Sequence, residues 1–367
     1  MEYYEFRYCL NSIAPENEDW QTVTLLTKDT IEEQVRNPEF FKRVEIKSKV
    51  DGKIILDPIL ISTTRMLFKG LVTGVYEPEW VNHLFYFDPR GFNFLVRSTY
   101  FTEEIRAHLG GKPFRQFDQK QKAFEWKFEI GYQEFKDANS EVDACFIDCV
   151  VKLVSFKGAP IILAIAGPTA AGKTEIVDRI REFFEAQGKK IATIELDNYL
   201  TDRDQREERG IGSFGKAALH FGLFQSDIKA ILSGKNIATP RYDFIDGTSS
   251  HDLAGVLKPN RKPVEIEPAD IIFIEGNSPF LLPEIAPLIG IKVVYLTDDP
   301  VRLKRKWRRD IDFRKKYDPN YFRNRFFSEQ PPMAVKNYQP QLLVCDLFVD
   351  TTGAAVWTTP EIAELFK

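Results

Sequence analysis

Cysteine is scarce in this chain: Cys9, Cys145, Cys149 and Cys345 are the four present among 367 residues. None stands in a Cys-x-x-Cys pair, which removes the usual zinc spacing. Cys145 and Cys149 fall in an apolar stretch and are expected as buried thiols. No apolar run approaches the roughly 18 residues of a membrane helix. The first residues, Met1-Glu2-Tyr3-Tyr4-Glu5, lack the basic and apolar segments of an export signal. Reduced thiols without an export signal lead to the expectation of a cytoplasmic protein with no membrane association. Repeats and low-complexity segments are absent, and so is an excess of positive charge. The net charge is −4, so nothing global favours a nucleic acid or an anionic surface as partner.

What is present is an ordinary globular composition, 43% hydrophobic and 28% charged, in a chain long enough for two domains. Up to about residue 157 the sequence reads as strand-rich. Phe124, Trp126, Phe128, Ile130 and Tyr132 alternate with Glu125, Lys127 and Glu129, and Val44 to Val50 alternates in the same way. A period of two places the charges on one face of a strand. A short helix is expected around Thr102 to Leu109. The texture changes at Lys157-Gly158-Ala159-Pro160, so domains 1–157 and 158–367 are expected. Beyond it, apolar runs at Ile161–Ala166, Ile191–Leu196, Ile271–Glu275, Val293–Leu296 and Leu342–Val349 alternate with amphipathic segments. That pattern predicts an α/β domain with a parallel sheet and flanking helices, preceded by an α+β or mostly β domain. Ile176, Val177, Ile180, Phe183 and Phe184 recur at helical spacing, with Gly188 as the stop.

Between the first of those strands and that helix lies Gly167-Pro168-Thr169-Ala170-Ala171-Gly172-Lys173-Thr174. A strand before and a helix after are the context in which such a motif cradles phosphates. Its backbone N–H groups and helix N-terminus suit a nucleoside triphosphate, ATP. Lys173 is expected on the β- and γ-phosphates, and Thr174 on Mg²⁺. Glu275 ends an apolar strand, where a carboxylate lies at the ligand edge of such a sheet and can hold Mg²⁺ directly or through water. Asp197 ends another strand and can accept a proton from an acceptor hydroxyl; as a turn or cap residue it has a structural reading as well. Arg302 to Asp312 reads as a helix with Arg302, Arg305 and Arg309 on one face and Leu303, Trp307 and Ile311 in an apolar stripe. Such guanidiniums either stabilise a transferring phosphoryl group or form a solvated basic face.

The segment from about Ile161 to Thr352 resembles the uridine kinase and phosphoribulokinase family of P-loop kinases. The likeness rests on the order of the phosphate loop, Leu196-Asp197-Asn198-Tyr199, Pro240-Arg241-Tyr242-Asp243-Phe244, Ile272-Phe273-Ile274-Glu275-Gly276 and the Arg302–Ile311 run with Arg314 three residues on. The resemblance implies an ATP- and Mg²⁺-dependent kinase acting on a hydroxyl of a small molecule, a nucleoside or a sugar phosphate. It implies Asp197 as general base with Lys173, Arg305 and Arg309 in catalysis. It places Tyr199, Tyr242, Phe244, Arg302 and Arg314 at the acceptor. A homo-oligomer is compatible with it. The family's Asp-His-Pro stretch corresponds to Leu219-His220-Phe221, and Gly247 stands where uridine kinases carry a His, both on the acceptor side. Two other readings belong to different classes: a nucleotide-gated binding module, and a kinase for a nucleic-acid end using the N-terminal half as platform.

Overall fold

A computed structural model describes residues 22–36, 47–50, 53–55, 58–77, 80–81, 100–125, 130–213, 215–310 and 333–366. The chain divides into two compact units. One comprises Met1–Val96, Ala123–Ile130 and Asp299–Met333; the other comprises Arg97–Lys122, Gly131–Asp298 and Ala334–Lys367.

In the first unit, α1 (Lys28–Arg36) precedes an antiparallel pair, β1 (Lys47–Val50) with β2 (Lys53–Ile55), and then α2 (Pro58–Val72). The buried Tyr76 hydroxyl donates to the Leu26 carbonyl at 2.7 Å, and the Trp80 indole donates to Glu32 at the same distance. Strand character at Val44 to Val50 holds for the described part, Lys47–Val50.

The second unit starts with α3 (Glu103–His108), whose Thr102 hydroxyl accepts from the Ile105 N–H as an N-cap, as its sequence predicts. After β3 (Arg115–Gln116) the chain departs from expectation. Lys120–Glu125 is a 3₁₀ helix, which crosses into the first unit at Ala123, and Tyr132 opens a 26-residue helix, α4 (Tyr132–Lys157). Trp126 to Glu129, the middle of the expected strand, lie outside the described residues. Alternation misled here because Phe124 and Ile130 are buried by tertiary packing rather than by one face of a strand. The Glu134 carboxylate accepts from the Gly131 N–H and fixes a helix start instead. Among the described residues before 158, helices outnumber short strands.

The sheet follows: β4 (Ile161–Ala166), α5 (Lys173–Glu185), β5 (Ile191–Glu195), α6 (Arg203–Glu208), α7 (Phe221–Leu232), the short pairs β6 (Ile237–Thr239) with β9 (Val264–Ile266) and β7 (Tyr242–Asp243) with β8 (Thr248–Ser249), then β10 (Ile271–Gly276) and β11 (Ile291–Leu296). The chain passes to the first unit for α8 (Asp299–Arg308). It returns for α9 (Gln339–Leu342), β12 (Leu347–Asp350), β13 (Ala355–Thr358) and α10 (Pro360–Leu365). Strand order is β3-β13-β12-β11-β4-β10-β5. The five strands from β12 to β5 are parallel, while β13 and β3 add antiparallel edges. The run expected as a strand from Leu342 starts five residues later, at Leu347, because Gln339–Leu342 is helical.

β4 is buried at every position, which is why it carries no polar residue. Ile161, Leu163 and Ile165 face one side with Ile271, Phe273, Val293 and Tyr295. Against them pack Ile176, Val177, Ile180 and Phe184 of α5, and Val142, Phe146, Cys149, Val150 and Leu153 of α4. Each such side chain contributes about 1.5–3 kcal/mol on burial. Phe183, expected on the same stripe, is exposed, and Cys145 is only half-buried. The compact units do not divide at residue 157. Gly158, with φ 80, does end α4, but that helix covers one face of the nucleotide-side sheet and belongs to its core.

Candidate active site

In a parallel sheet, ligands lie beyond the carboxyl ends of the strands where the strand order reverses. Here β4 is the first parallel strand in sequence and lies between β10 and β11, so the loop leaving Ala166 stands at that point. Residue 167 has to be glycine: a Cβ there would sit 2.1 Å from the Tyr295 carbonyl oxygen of β11. Ala170 (φ 64) and Gly172 (φ 102) lie in the left-handed region and curl the loop before α5 begins at Lys173. The loop is fastened on both flanks. The Gly167 N–H donates to the Gly276 carbonyl on β10 at 3.2 Å, and the Thr297 hydroxyl after β11 donates to the Ala171 carbonyl at 3.0 Å.

Lys173 is buried, and its ammonium donates to the Pro168 carbonyl at 3.0 Å, spanning the loop it belongs to. The Thr174 hydroxyl reaches both oxygens of Glu275, at 3.0 and 3.1 Å. Burial pushes the Glu275 carboxyl up; Lys173 and the Thr174 hydroxyl oppose this, while the charges of Asp197 and Glu195 add to it. Thr174, Glu275, Glu195 and Asp197 therefore share one edge. Glu195 is a member the sequence analysis missed: it lies opposite Glu275 in the register of β5 and β10, which the chain order does not reveal. Its carboxyl is also raised, by burial and then by Asp197.

Asp197 lies in the 3₁₀ turn Leu196–Tyr199, half-buried. The turn's N-cap is Glu195, so Asp197 is not a cap, and no described side chain or N–H donates to its carboxylate. Asn198 beside it bridges two segments: its amide donates to Glu195 at 3.2 Å, and its carbonyl oxygen accepts from the Tyr242 N–H at 3.1 Å. That bond brings the Tyr242–Phe244 segment to the Asp197 turn.

The expected acceptor residues divide. Tyr199 is fully buried, and its hydroxyl donates to Asp227 at 2.7 Å, so it supports the turn from inside. Tyr242 is also buried, its hydroxyl accepting from Arg206 at 3.1 Å with that guanidinium over its ring. Phe244 packs edge-on against Tyr242 and keeps a partly exposed side. Arg302, Arg305 and Arg309 belong to the helical segment of the other unit. Arg302 is wholly buried, so it is not one of three guanidiniums on an open face; Arg305 and Arg309 are half-buried. In the same segment Lys306 and Asp310 form a buried ion pair. Arg314 lies outside the described residues.

A model of the Phosphoribulokinase / Uridine kinase family matches residues 162–354. The uridine kinase of Halobacterium salinarum is 34% identical over 152 residues; the match covers 41% of this chain and 62% of that protein, less than two thirds of its length. The uridine kinase of Lactobacillus helveticus is 27% identical over 197 residues, covering 53% of this chain and 88% of that protein. Among solved structures, a putative fructose transport system kinase from Silicibacter is 16% identical with a TM-score of 0.41, covering 53% of this chain and 93% of that one. A score that low carries no argument about function. Among the described residues no helix is long and apolar enough to cross a membrane.

Proposed function

The chain belongs to the phosphoribulokinase / uridine kinase family of P-loop kinases, and on that premise we propose that it transfers the γ-phosphoryl group of ATP to a hydroxyl of a nucleoside or a sugar phosphate. The observation that supports this best is the Thr174 hydroxyl bonded to both oxygens of Glu275 beside the buried Lys173. A hydroxyl and a carboxylate are hard oxygen donors, the kind Mg²⁺ takes. A buried carboxyl raised by its surroundings also gains from a cation at its side. Among the described residues no cluster of three or more His, Cys, Asp or Glu side chains is set to hold a metal. That suits an ion bound by one or two protein groups plus phosphate oxygens. Thr174 and Glu275 would hold it, and the ion supplies neutralisation of phosphate charge.

The chain's own groups do the rest. The N–H groups of Gly167 to Thr174 position the triphosphate, and Lys173 turns from the Pro168 carbonyl to the β- and γ-phosphates. Asp197, with no donor of its own among the described residues, accepts the proton of the attacking hydroxyl. The acceptor is held beside the Asp197 turn by the Tyr242–Phe244 segment that Asn198 ties there. The test is ADP release from purified protein with ATP, Mg²⁺ and a panel of nucleosides, sugar phosphates and oligonucleotides. Release dependent on a nucleoside or sugar phosphate, lost in Asp197→Asn, is expected. ATP binding with no release for any acceptor would leave the nucleotide-gated module, and release only with oligonucleotides the nucleic-acid-end kinase.

A further inference from the structure

We propose that Asp143, on α4, is a positioning residue for the phosphate loop, joining the helix that follows the loop and the strand beside it through one carboxylate. The proposal rests on the reading of residues 167–174 as a nucleotide loop. Asp143 is 5% exposed. Its Oδ2 accepts from Arg179 Nη1 at 2.5 Å, and its Oδ1 accepts from the Tyr295 hydroxyl at 2.9 Å. Arg179 is on α5, the helix that carries Lys173 and Thr174. Tyr295 is the residue whose backbone carbonyl stands against Gly167 and excludes a side chain there. The two elements that shape the loop thus meet on a carboxylate contributed from outside the stretch matched by the family, residues 162–354.

A buried carboxylate is a poor choice for stability alone, because an apolar side chain of similar size avoids the desolvation penalty. What it adds is direction: two donors from two elements have to aim at its two oxygens. The charged and titratable groups that face it are Arg179 and Glu175 from α5 and Tyr295 from β11. Burial, the largest influence, pushes its carboxyl up to about 6, with Tyr295 and Arg179 lowering it and Glu175 raising it. A folded pKa above the ordinary 3.8 means that Asp143 favours folding below that value and that the contribution is lost as pH rises through about 6. At neutral pH the ionised Asp143 therefore serves geometry at the expense of stability. Below about 6 it is protonated, and the charge-assisted bond to Arg179 weakens.

The experiment compares wild type, Asp143→Asn and Tyr295→Phe. Hydrogen exchange at residues 167–174, measured with no nucleotide added, is expected to be faster in Asp143→Asn at pH 7.5 while the melting temperature is unchanged or higher. ATP affinity of that variant at pH 7.5 is expected to fall about tenfold, within the range of ordinary site-to-site couplings. Wild-type ATP affinity is expected to drop more steeply than that of Asp143→Asn as pH falls through about 6, the difference between the two profiles having its midpoint there. Tyr295→Phe, which removes a single hydroxyl, is expected to move the midpoint upward, because that hydroxyl lowers the Asp143 pKa. Loop exchange in Asp143→Asn equal to wild type overturns the proposal, as does a midpoint unmoved by Tyr295→Phe. If Asp143→Asn does not fold, Tyr295→Phe decides alone, by loop exchange and by the midpoint. A wild type that binds no ATP sinks the nucleotide reading instead, and loop exchange still decides the role of Asp143.

Discussion

The phosphate loop and the segment from Tyr199 to Lys258 lie in the same unit, yet they are built by different means. The loop is made of backbone. Its positions are set by a glycine that no side chain can replace, by two left-handed residues, by a hydrogen bond to the Gly276 carbonyl of β10 and by one from Thr297 after β11. The Tyr199–Lys258 segment is made of buried side-chain networks. Tyr199 bonds Asp227, and Arg206 bonds Tyr242 and the Thr201 carbonyl. Asp202 accepts from Lys258 and from the Ser249 N–H, and His220 pairs with Ser249. A backbone cradle admits few sequences and holds a ligand group common to many enzymes. A side-chain network is tied to the particular partners it joins, so each of its bonds depends on the residues at both ends.

The largest effect expected on the loop side is that of Lys173→Ala. It removes a charge from a mechanism that is mostly positioning, so turnover should fall roughly 10⁴-fold. Single-turnover ADP release measures it, and near-normal turnover would break the distinction between the two regions. Asp197→Asn, where the regions meet, should lower transfer about 10³-fold while leaving ATP affinity within a factor of a few. Loss of ATP affinity instead would place Asp197 with the loop. Gly167→Ala drives a methyl into the Tyr295 carbonyl and should cost about 1–3 kcal/mol in stability, read by denaturant unfolding. Tolerance of that methyl would show that the cradle is softer than its contacts imply.

The smaller effects test the network side. Tyr199→Phe leaves Asp227 without its donor and should cost about 1–3 kcal/mol. Burial raises the Asp227 carboxyl and the Tyr199 hydroxyl lowers it, so that hydroxyl favours the ionised form. The loss in Tyr199→Phe should therefore be greater at pH 8 than at pH 4, with the acceptor KM unchanged; a raised KM at full stability would return Tyr199 to the substrate site. Smallest is the effect of the two histidines. Burial above all holds His220 and His251 below their ordinary 6.5, so both are held neutral. The unfolded chain takes up protons first as pH falls below 6.5, so the native state loses stability there. His220→Gln should flatten that decline in melting temperature, and an unchanged slope would remove His220 from the titrating network.

How much of this was legible in the chain depends on the range of the interaction. Ile161–Ala166 was found residue for residue because a strand covered on both faces has to be apolar throughout. The short helix expected around Thr102 to Leu109 is present as Glu103–His108, and the Thr102 cap that starts it bonds only three residues away. The positions of Lys173 and Thr174 at a helix start and of Glu275 at a strand end were legible, because apolar runs and helical spacing mark both boundaries. The long helix α4 was not, since its buried stripe is interrupted by Asn139 and Asp143, polar residues whose partners lie far along the sequence. Arg302 read as one of an exposed set because a charged side chain carries no local sign of being buried.

The sequence by itself determined the phosphate loop, the strand cores and the carboxylates at strand ends, because each follows from backbone geometry and near-neighbour periodicity. Only the tertiary structure decided that Glu195 faces Glu275, that Tyr199 is spent on Asp227, and that α4 belongs to the nucleotide-side core. Those outcomes depend on strand order and on side chains meeting across more than a hundred residues in the case of Asp143 and Tyr295, and no local pattern encodes a partner at that distance.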